Sequence, residues 1–460
     1  LETRIGSVQT AKNTMTETQA ISRFSFSPAQ RKRIFVLLCA ALLLQWLFMV
    51  LPFLPLHGRS EKLHALLPYL WLVDFLLYKR RILPPRWGFA LITSIGIATM
   101  LGVTFWYALL AQAQFTDGTA HWHEVLYKMY MMASLFVLYG LLSKAVWWVL
   151  CLSRAIRDVE PTARGAWIHS VHSVLAIGLF VPYLLAFGSI HRFKIGDGLT
   201  PWSAFELAYE DVAFNSDEDE IPLSGWFIPA ARSDKAVIVC HGIGANKANF
   251  SGVSPFLHKA GLNVFLFDFR GHGDSDGHTI TYGYEEARDV AGAVRYLQAR
   301  GIKHIGLYGF SMGGSAVLHS LQRVPQVESI VVDSTFSDFP LRVEQQITWL
   351  PEPLDKVLVK AIDLSSQFEL GISFGSISPG QHIAKFAPRP VLIIHGTKDS
   401  IISPQQAELN YAAAGQPKQL WLVPGADHIQ CRAVAKQQYE TRVAEFFTRT
   451  LGASSKVQPN

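Results

Sequence analysis

Cysteine is scarce, with four residues, Cys39, Cys151, Cys240 and Cys431, in a chain of 460. None of them forms a CxxC or CxxH pair, so spacing indicates neither a disulfide framework nor a zinc site. Charge is scarce too, at 17% of residues, where an ordinary soluble domain carries roughly a quarter. It is also unevenly divided: 19 Lys+Arg stand against 9 Asp+Glu in residues 1–200, and 22 against 27 afterwards. The basic excess clusters beside apolar runs and not on one soluble face, so a pI near 8.9 does not signal nucleic-acid binding. Phosphate-binding strings are absent as well. The glycine-bearing loop HGIGANKANF, residues 241–250, matches neither G-x-G-x-x-G nor G-x-x-x-x-G-K-[ST].

What the front half has in excess is long apolar runs. Residues 34–56 are interrupted only by Gln45, 88–111 hold no charge, 129–152 hold Lys144 alone, and 165–188 none beyond His169 and His172. Each reaches the roughly 20 residues that cross a hydrocarbon core. A shorter run, 63–78, carries Asp74. Residues 1–30 are polar and aperiodic and read as a disordered leader, with Met15 as the expected true start. The first run is too long, and lacks the small-residue cleavage site, for a removed signal peptide, so it reads as a signal anchor.

Loop charge orients the spans. Arg31, Lys32 and Arg33 precede the first; Lys79, Arg80, Arg81 and Arg86, then Arg154, Arg157 and Arg164, fill two later loops. The loops between are poorer, with Arg59 and Lys62, and Lys128 alone. Five spans put every rich segment inside, whereas four would put the richest outside. The expectation is an integral protein of a bacterial inner membrane, its amino terminus inside and everything after residue 190 on the periplasmic side. The intramembrane Asp74, Lys144, His169 and His172 lack the second carboxylate or broken helix of an ion path. They read as paired or interfacial groups and as helix-to-helix hydrogen bonders.

From about residue 206 the pattern changes. FELAYEDVAF and LSGWFIPA alternate apolar and polar residues around the acidic turn NSDEDEIP, predicting an antiparallel pair. Short apolar runs follow: KAVIVCHG, LNVFLFDFRGHG, HIGLYGFS, SIVVDSTF, RPVLIIHG and QLWLVPGADH. Amphipathic segments such as GYEEARDVAGAVRYLQAR separate most of them, which predicts a parallel sheet covered on both faces. The long connection 335–388 holds helical patterns and reads as a helical cap over the carboxyl ends of the strands, the edge where open α/β sheets bind ligands.

One pentapeptide carries chemistry. Gly309-Phe310-Ser311-Met312-Gly313 lies between a strand and a helix, where a strained turn exposes the serine and side chains at the flanking glycines would collide with backbone. Serine needs a base, and chain order asks for an acid and then a histidine downstream. His319 lies in the following helix, His382 in the long connection, and His395 ends a strand and reads as structural. His428, in the loop PGADHI after the last strand, is the candidate base. Asp399, in IIHGTKDSII, is favoured as acid because its strand neighbours the one delivering His428; Asp333, in VVDSTF, would then cap its own loop. The backbone N–H groups of Met312 and of Ile243 are the expected oxyanion donors. This chemistry calls for no metal and no cofactor.

The strings HGIGAN, DFRGHGDSDG, GFSMGG, HGTKD and GADH stand in the order found in the α/β-hydrolase fold family, which residues 206–450 resemble. GWFIPA and DSTFSDF are most similar to the serine-aminopeptidase-like and Bem46-like hydrolases. The resemblance implies an α/β-hydrolase sandwich and a Ser-His-Asp triad; it leaves the substrate open and does not cover the front half. The expected organisation is a leader (1–30), a membrane domain (31–190), a linker (191–205), a hydrolase domain (206–452, cap 335–388) and a tail (453–460). The expected activity is hydrolysis of carboxylic esters or thioesters of small or lipid-like acyl substrates. A serine peptidase or acyltransferase, or a non-catalytic membrane sensor or scaffold, is the alternative.

Overall fold

A computed structural model describes residues 198–453 without a break, the helix Arg164–Ile190 with side chains at Val171 and from Val174 onward, His191, Lys194, and isolated positions between 135 and 146. The expected leader, the runs 34–56, 63–78 and 88–111, most of 129–152, Asp74, Lys144, the side chains of His169 and His172, Cys39, Cys151 and residues 454–460 lie outside the described residues. The run 165–188 is helical, as α1 (Arg164–Ile190). Among the described residues, no helix is long and apolar enough to cross a membrane.

Eight strands form one sheet: β1 (Glu210–Asn215), β2 (Pro222–Ile228), β3 (Lys235–Cys240), β4 (Asn263–Phe267), β5 (His304–Phe310), β6 (Val327–Asp333), β7 (Val391–Gly396) and β8 (Lys418–Val423). Their order is β1-β2-β4-β3-β5-β6-β7-β8. The expected antiparallel pair is β1 with β2, and β2 also runs antiparallel to β4; every pairing from β4 through β8 is parallel.

Strand side chains alternate between faces, and here both faces are buried. Ala236, Ile238, Phe265, Leu307, Ile330 and Ile393 join one apolar core, which the helices α2 (Glu286–Ala299) and α3 (Met312–Ser320) cover through Val290, Val294 and Val317. Val237, Val239, Leu266, Val331 and Leu392 join the other, under Val443 and Phe447 of the carboxyl-terminal helix Lys436–Thr450. The near-continuous apolar runs of the sequence are thus the two-sided burial of a parallel sheet.

The long connection folds into two longer helices, a four-residue helix at Gly380–Ile383 and turns. In α4 (Phe339–Gln346) the Asp338 carboxylate accepts from the Leu341 N–H at 2.8 Å and caps the start; α5 (Leu354–Leu370) stops at Gly371, which takes φ 75°. The helical pattern read through LRVEQQITWL ends early, because Ile347 leaves helical geometry and Trp349 turns out to solvent. Phe339, Val359 and Ile362 pack with Ile402 and with Ala186 of α1 in a third apolar cluster. Two contacts reach the sheet domain at the start of the segment read as a linker: Ile280 N–H donates to Ile190 O at 3.0 Å, and the Lys194 ammonium to Ser275 O at 2.6 Å.

Candidate active site

Parallel strands in register end together, so the loops that follow them meet at one rim. Cys240 stands level with Gly309, Phe310 with Asp333, and Gly396 with Val423. The residues read from the sequence leave this rim one after another.

Ser311 follows β5 with φ 51° and ψ −117°, in the left-handed region that costs a non-glycine residue strain. Its N–H donates to Asp333 O at 2.9 Å, which anchors the turn to the neighbouring strand. A Cβ at Gly309 would stand 2.5 Å from Gly314 Cα, and one at Gly313 would run into the carbonyl oxygens of Cys240 and His241. The collisions expected of side chains at these glycines therefore have named partners.

His428 Nε2 lies 3.1 Å from Ser311 Oγ, and His428 Nδ1 lies 2.8 Å from Asp399 Oδ2. The imidazole is 11% exposed and the Asp399 side chain fully buried. Burial pushes the Asp399 carboxyl up, but hydrogen bonds from His395, His428 and the Ile402 N–H outweigh it and hold the group well below the usual carboxylate range. Ile401 and Ile402 N–H both donate to Oδ1, at 3.0 and 2.7 Å. His395, read as structural, reaches the acid: its Nε2 lies 3.2 Å from Asp399 Oδ2 and 2.9 Å from Ile402 O. Both neighbours are acceptors, so Nε2 carries the proton and donates to both.

The acid and histidine loops are stitched together. Lys398 N–H donates to Ala426 O at 2.9 Å, and the N–H and Oγ–H of Ser400 donate to Asp427 Oδ1 at 2.8 and 2.9 Å. Asp427 also accepts from the His428 N–H at 2.7 Å. Nothing in the sequence reading singled out Ser400 or Asp427; two adjacent hydrophilic loops after neighbouring strands were the only available signal.

Asp333 lies one strand away from the acid loop and does not touch His428. Tyr439 Oη donates to its Oδ2 at 2.5 Å, Ser334 Oγ donates to its Oδ1 at 3.0 Å, and Tyr308 Oη is paired with Tyr439 Oη. Burial pushes the Asp333 carboxyl up despite these donors. Its loop does support the histidine loop, since Ile429 N–H donates to Ser334 Oγ at 3.2 Å.

On the other side of Ser311, a Cβ at Gly242 would stand 3.4 Å from Ser311 Cβ, which places the 241–250 loop directly beside it. His241 Nε2 accepts from the Phe269 N–H at 3.1 Å, leaving Nδ1–H to donate to Gly242 O at 2.7 Å. The Ala245 N–H reaches the same carbonyl at 3.3 Å. In a trans peptide the N–H points opposite to the C=O, so the Ile243 N–H faces away from these partners. Met312 is the first residue of α3, a position whose N–H has no acceptor within its own helix. The other two downstream histidines lie apart, His319 half-buried in α3 with its ring 4.9 Å from that of His382. Among the described residues no group of three or more His, Cys, Asp or Glu is arranged to hold a metal ion.

Comparison with known proteins agrees with this architecture. Residues 235–367 match the family described as the alpha/beta hydrolase fold. The chain is 30% identical over 268 residues to the uncharacterized protein YfhR of Escherichia coli (strain K12), covering 56% of this chain and 86% of that protein. It is 25% identical over 225 residues to the alpha/beta hydrolase domain-containing protein WAV2 of Arabidopsis thaliana, covering 47% of this chain and 70% of that protein. Among solved structures it is similar to a Pyrococcus furiosus esterase, at 29% identity and a TM-score of 0.47 over 57% of this chain and 99% of that one. On the extent of the match to YfhR, together with the family match, the chain belongs to the alpha/beta hydrolase fold family.

Proposed function

We propose that this hydrolase is a membrane-anchored serine enzyme that cleaves carboxylic ester or thioester bonds through Ser311, His428 and Asp399. The observation that carries the reading is the unbroken chain from Ser311 Oγ to His428 Nε2, at 3.1 Å, and from His428 Nδ1 to Asp399 Oδ2, at 2.8 Å, at the end of a strained turn. Ser311 Oγ attacks the carbonyl carbon as His428 Nε2 takes its proton. The tetrahedral oxyanion receives hydrogen bonds from the N–H groups of Met312 and Ile243. When the intermediate collapses, the carbon–oxygen or carbon–sulfur bond breaks and the leaving alkoxide or thiolate takes the proton from His428. Water then attacks the acyl-serine, His428 removing its proton and returning it to Ser311 Oγ. Asp399 keeps the proton of the resting imidazole on Nδ1 and offsets the positive charge of the imidazolium.

The apolar runs of residues 34–188 support an anchored enzyme with its catalytic domain on the periplasmic face of a bacterial inner membrane, and a lipid-like acyl substrate fits that setting. The test is labelling of the full chain in membranes by a fluorophosphonate probe. Wild type is expected to label and Ser311→Ala to lose the label; a folded wild type that does not label refutes the reading. Short acyl esters and peptide amides, assayed side by side, separate an esterase from a peptidase.

A further inference from the structure

Of the 19 large apolar side chains exposed among the described residues, 11 lie on two helices that pack on each other. On α1 these include Val174, at 68% exposure, with Ile177, Leu179, Val181, Leu184 and Leu185. Its buried positions, Ala176, Tyr183, Ala186, Phe187 and Ile190, recur at helical spacing along one stripe. That stripe meets the cap: Ala186 shares a cluster with Val359 and Ile362 of α5, and the Tyr183 ring stands 6.5 Å from the Phe368 ring. The cap helix has a second apolar stripe turned outward, Leu354, Val357, Leu364 and Phe368, spaced by three, seven and four residues on one face. At its border Lys356 and Lys360 pair with Glu352 and Asp363, at 3.0 and 2.9 Å, so these pairs leave no net charge there.

A water-facing surface of this size would be unusual for a soluble protein. What covers it can be read from its shape. From Val174 to Ile190 the helix carries no charged or amide side chain, and it is exposed around most of its circumference outside the stripe on the cap. A folded partner covers one side of a helix, whereas lipid surrounds it. The same helix follows the series of apolar runs in residues 34–152.

The geometry points to a lipid-contact surface formed jointly by α1 and the outer stripe of α5, which holds the cap of the hydrolase domain against the acyl region of a bilayer. Contact, not a full crossing, is what the surface requires of the described residues. The cap so held adjoins the acid loop, since Gln346 Nε2 donates to Ile401 O at 3.0 Å and Ile402 packs in the cap cluster. The inference rests on the membrane part of the function proposed above and goes further in assigning a residue-level surface to the cap.

The test places an environment-sensitive nitrobenzoxadiazole fluorophore on single cysteines introduced by Leu179→Cys, Leu364→Cys, Phe368→Cys and, as control, Gln438→Cys. The background is the full chain with Cys39→Ser and Cys151→Ser, because Cys240 and Cys431 are buried. Reconstitution is into phosphatidylcholine vesicles with a minority of phosphatidylglycerol, and retained fluorophosphonate labelling verifies the fold of each variant. Labels at 179, 364 and 368 are expected to emit to the blue and lose most of their intensity to spin-labelled lipid, while the label at 438 stays unquenched. Quenching at 179 with water-like emission at 364 and 368 overturns the cap surface and leaves the anchor standing. Blue emission at 364 and 368 without lipid quenching also overturns it, since another segment or a second copy then covers the face. Failure of the chain to float with the vesicles overturns the anchor and the cap surface together.

Discussion

At the scale of residues, two buried aspartates separate by what they touch. Asp399 accepts four hydrogen bonds, from His428, His395, Ile401 and Ile402, and its carboxyl is held below the ordinary range despite burial. Its folded pKa lies below the unfolded value, so the stability it contributes is present above the ordinary carboxylate pKa and drains away only as pH falls below it. Asp399→Asn is expected to lower kcat by roughly 10⁴-fold by favouring the wrong imidazole tautomer, read by steady-state ester hydrolysis. Asp333→Asn strands a donor of the Tyr439–Ser334 network instead, and should cost about 1–3 kcal/mol in a urea titration while the fluorophosphonate reaction persists. Loss of labelling in Asp333→Asn with labelling kept in Asp399→Asn would reverse the assignment. His395→Leu removes a donor from the oxygen that faces His428 and should cost about 1.5–3 kcal/mol in a urea titration at neutral pH, as loss of a hydrogen bond to a charged group does. A midpoint within error of wild type would mean that the His395 contact carries no stability. From the sequence, Ser311, His428 and Asp399 were legible because each closes an apolar strand with a turn motif. His395 was not, since its role depends on a four-residue spacing whose geometry a loop does not fix in advance.

At the scale of elements, the turn between β5 and α3 depends on backbone proximity more than on the serine. Gly313 lies against the carbonyls of Cys240 and His241 at the end of β3, so any side chain there pushes the helix off the sheet. Gly313→Ala is expected to destabilise by about 3 kcal/mol or more, as overpacking against rigid backbone does, measured as a lowered urea midpoint. A midpoint within error of wild type would mean that the helix can shift freely. Every strand of the sheet was legible, β1 and β2 from apolar–polar alternation and the others as short apolar runs bounded by turn residues. The end of α4 was blurred by Ile347 and Leu350, which continue the apolar periodicity of LRVEQQ and pack in the third apolar cluster, while Pro351 and Pro353 close the pattern just beyond.

At the scale of the whole molecule, the five-span reading has a direct outcome. Alkaline phosphatase fused beyond residue 450 should be active and a fluorescent protein fused there dark; a cytoplasmic signal excludes an odd number of spans. The contacts of Ile190 and Lys194 with the sheet domain were invisible in the sequence, because they meet the Ile280 N–H and the Ser275 carbonyl, backbone groups that no local pattern announces. The stitching of the acid loop to the histidine loop has a further outcome on heating. Asp399 and His428 ride on neighbouring strands as one body, and Ser311 rides on another, with β6 between them. Early thermal damage should therefore part the hydroxyl from a base that is still correctly aimed, leaving a silent enzyme that recovers on cooling.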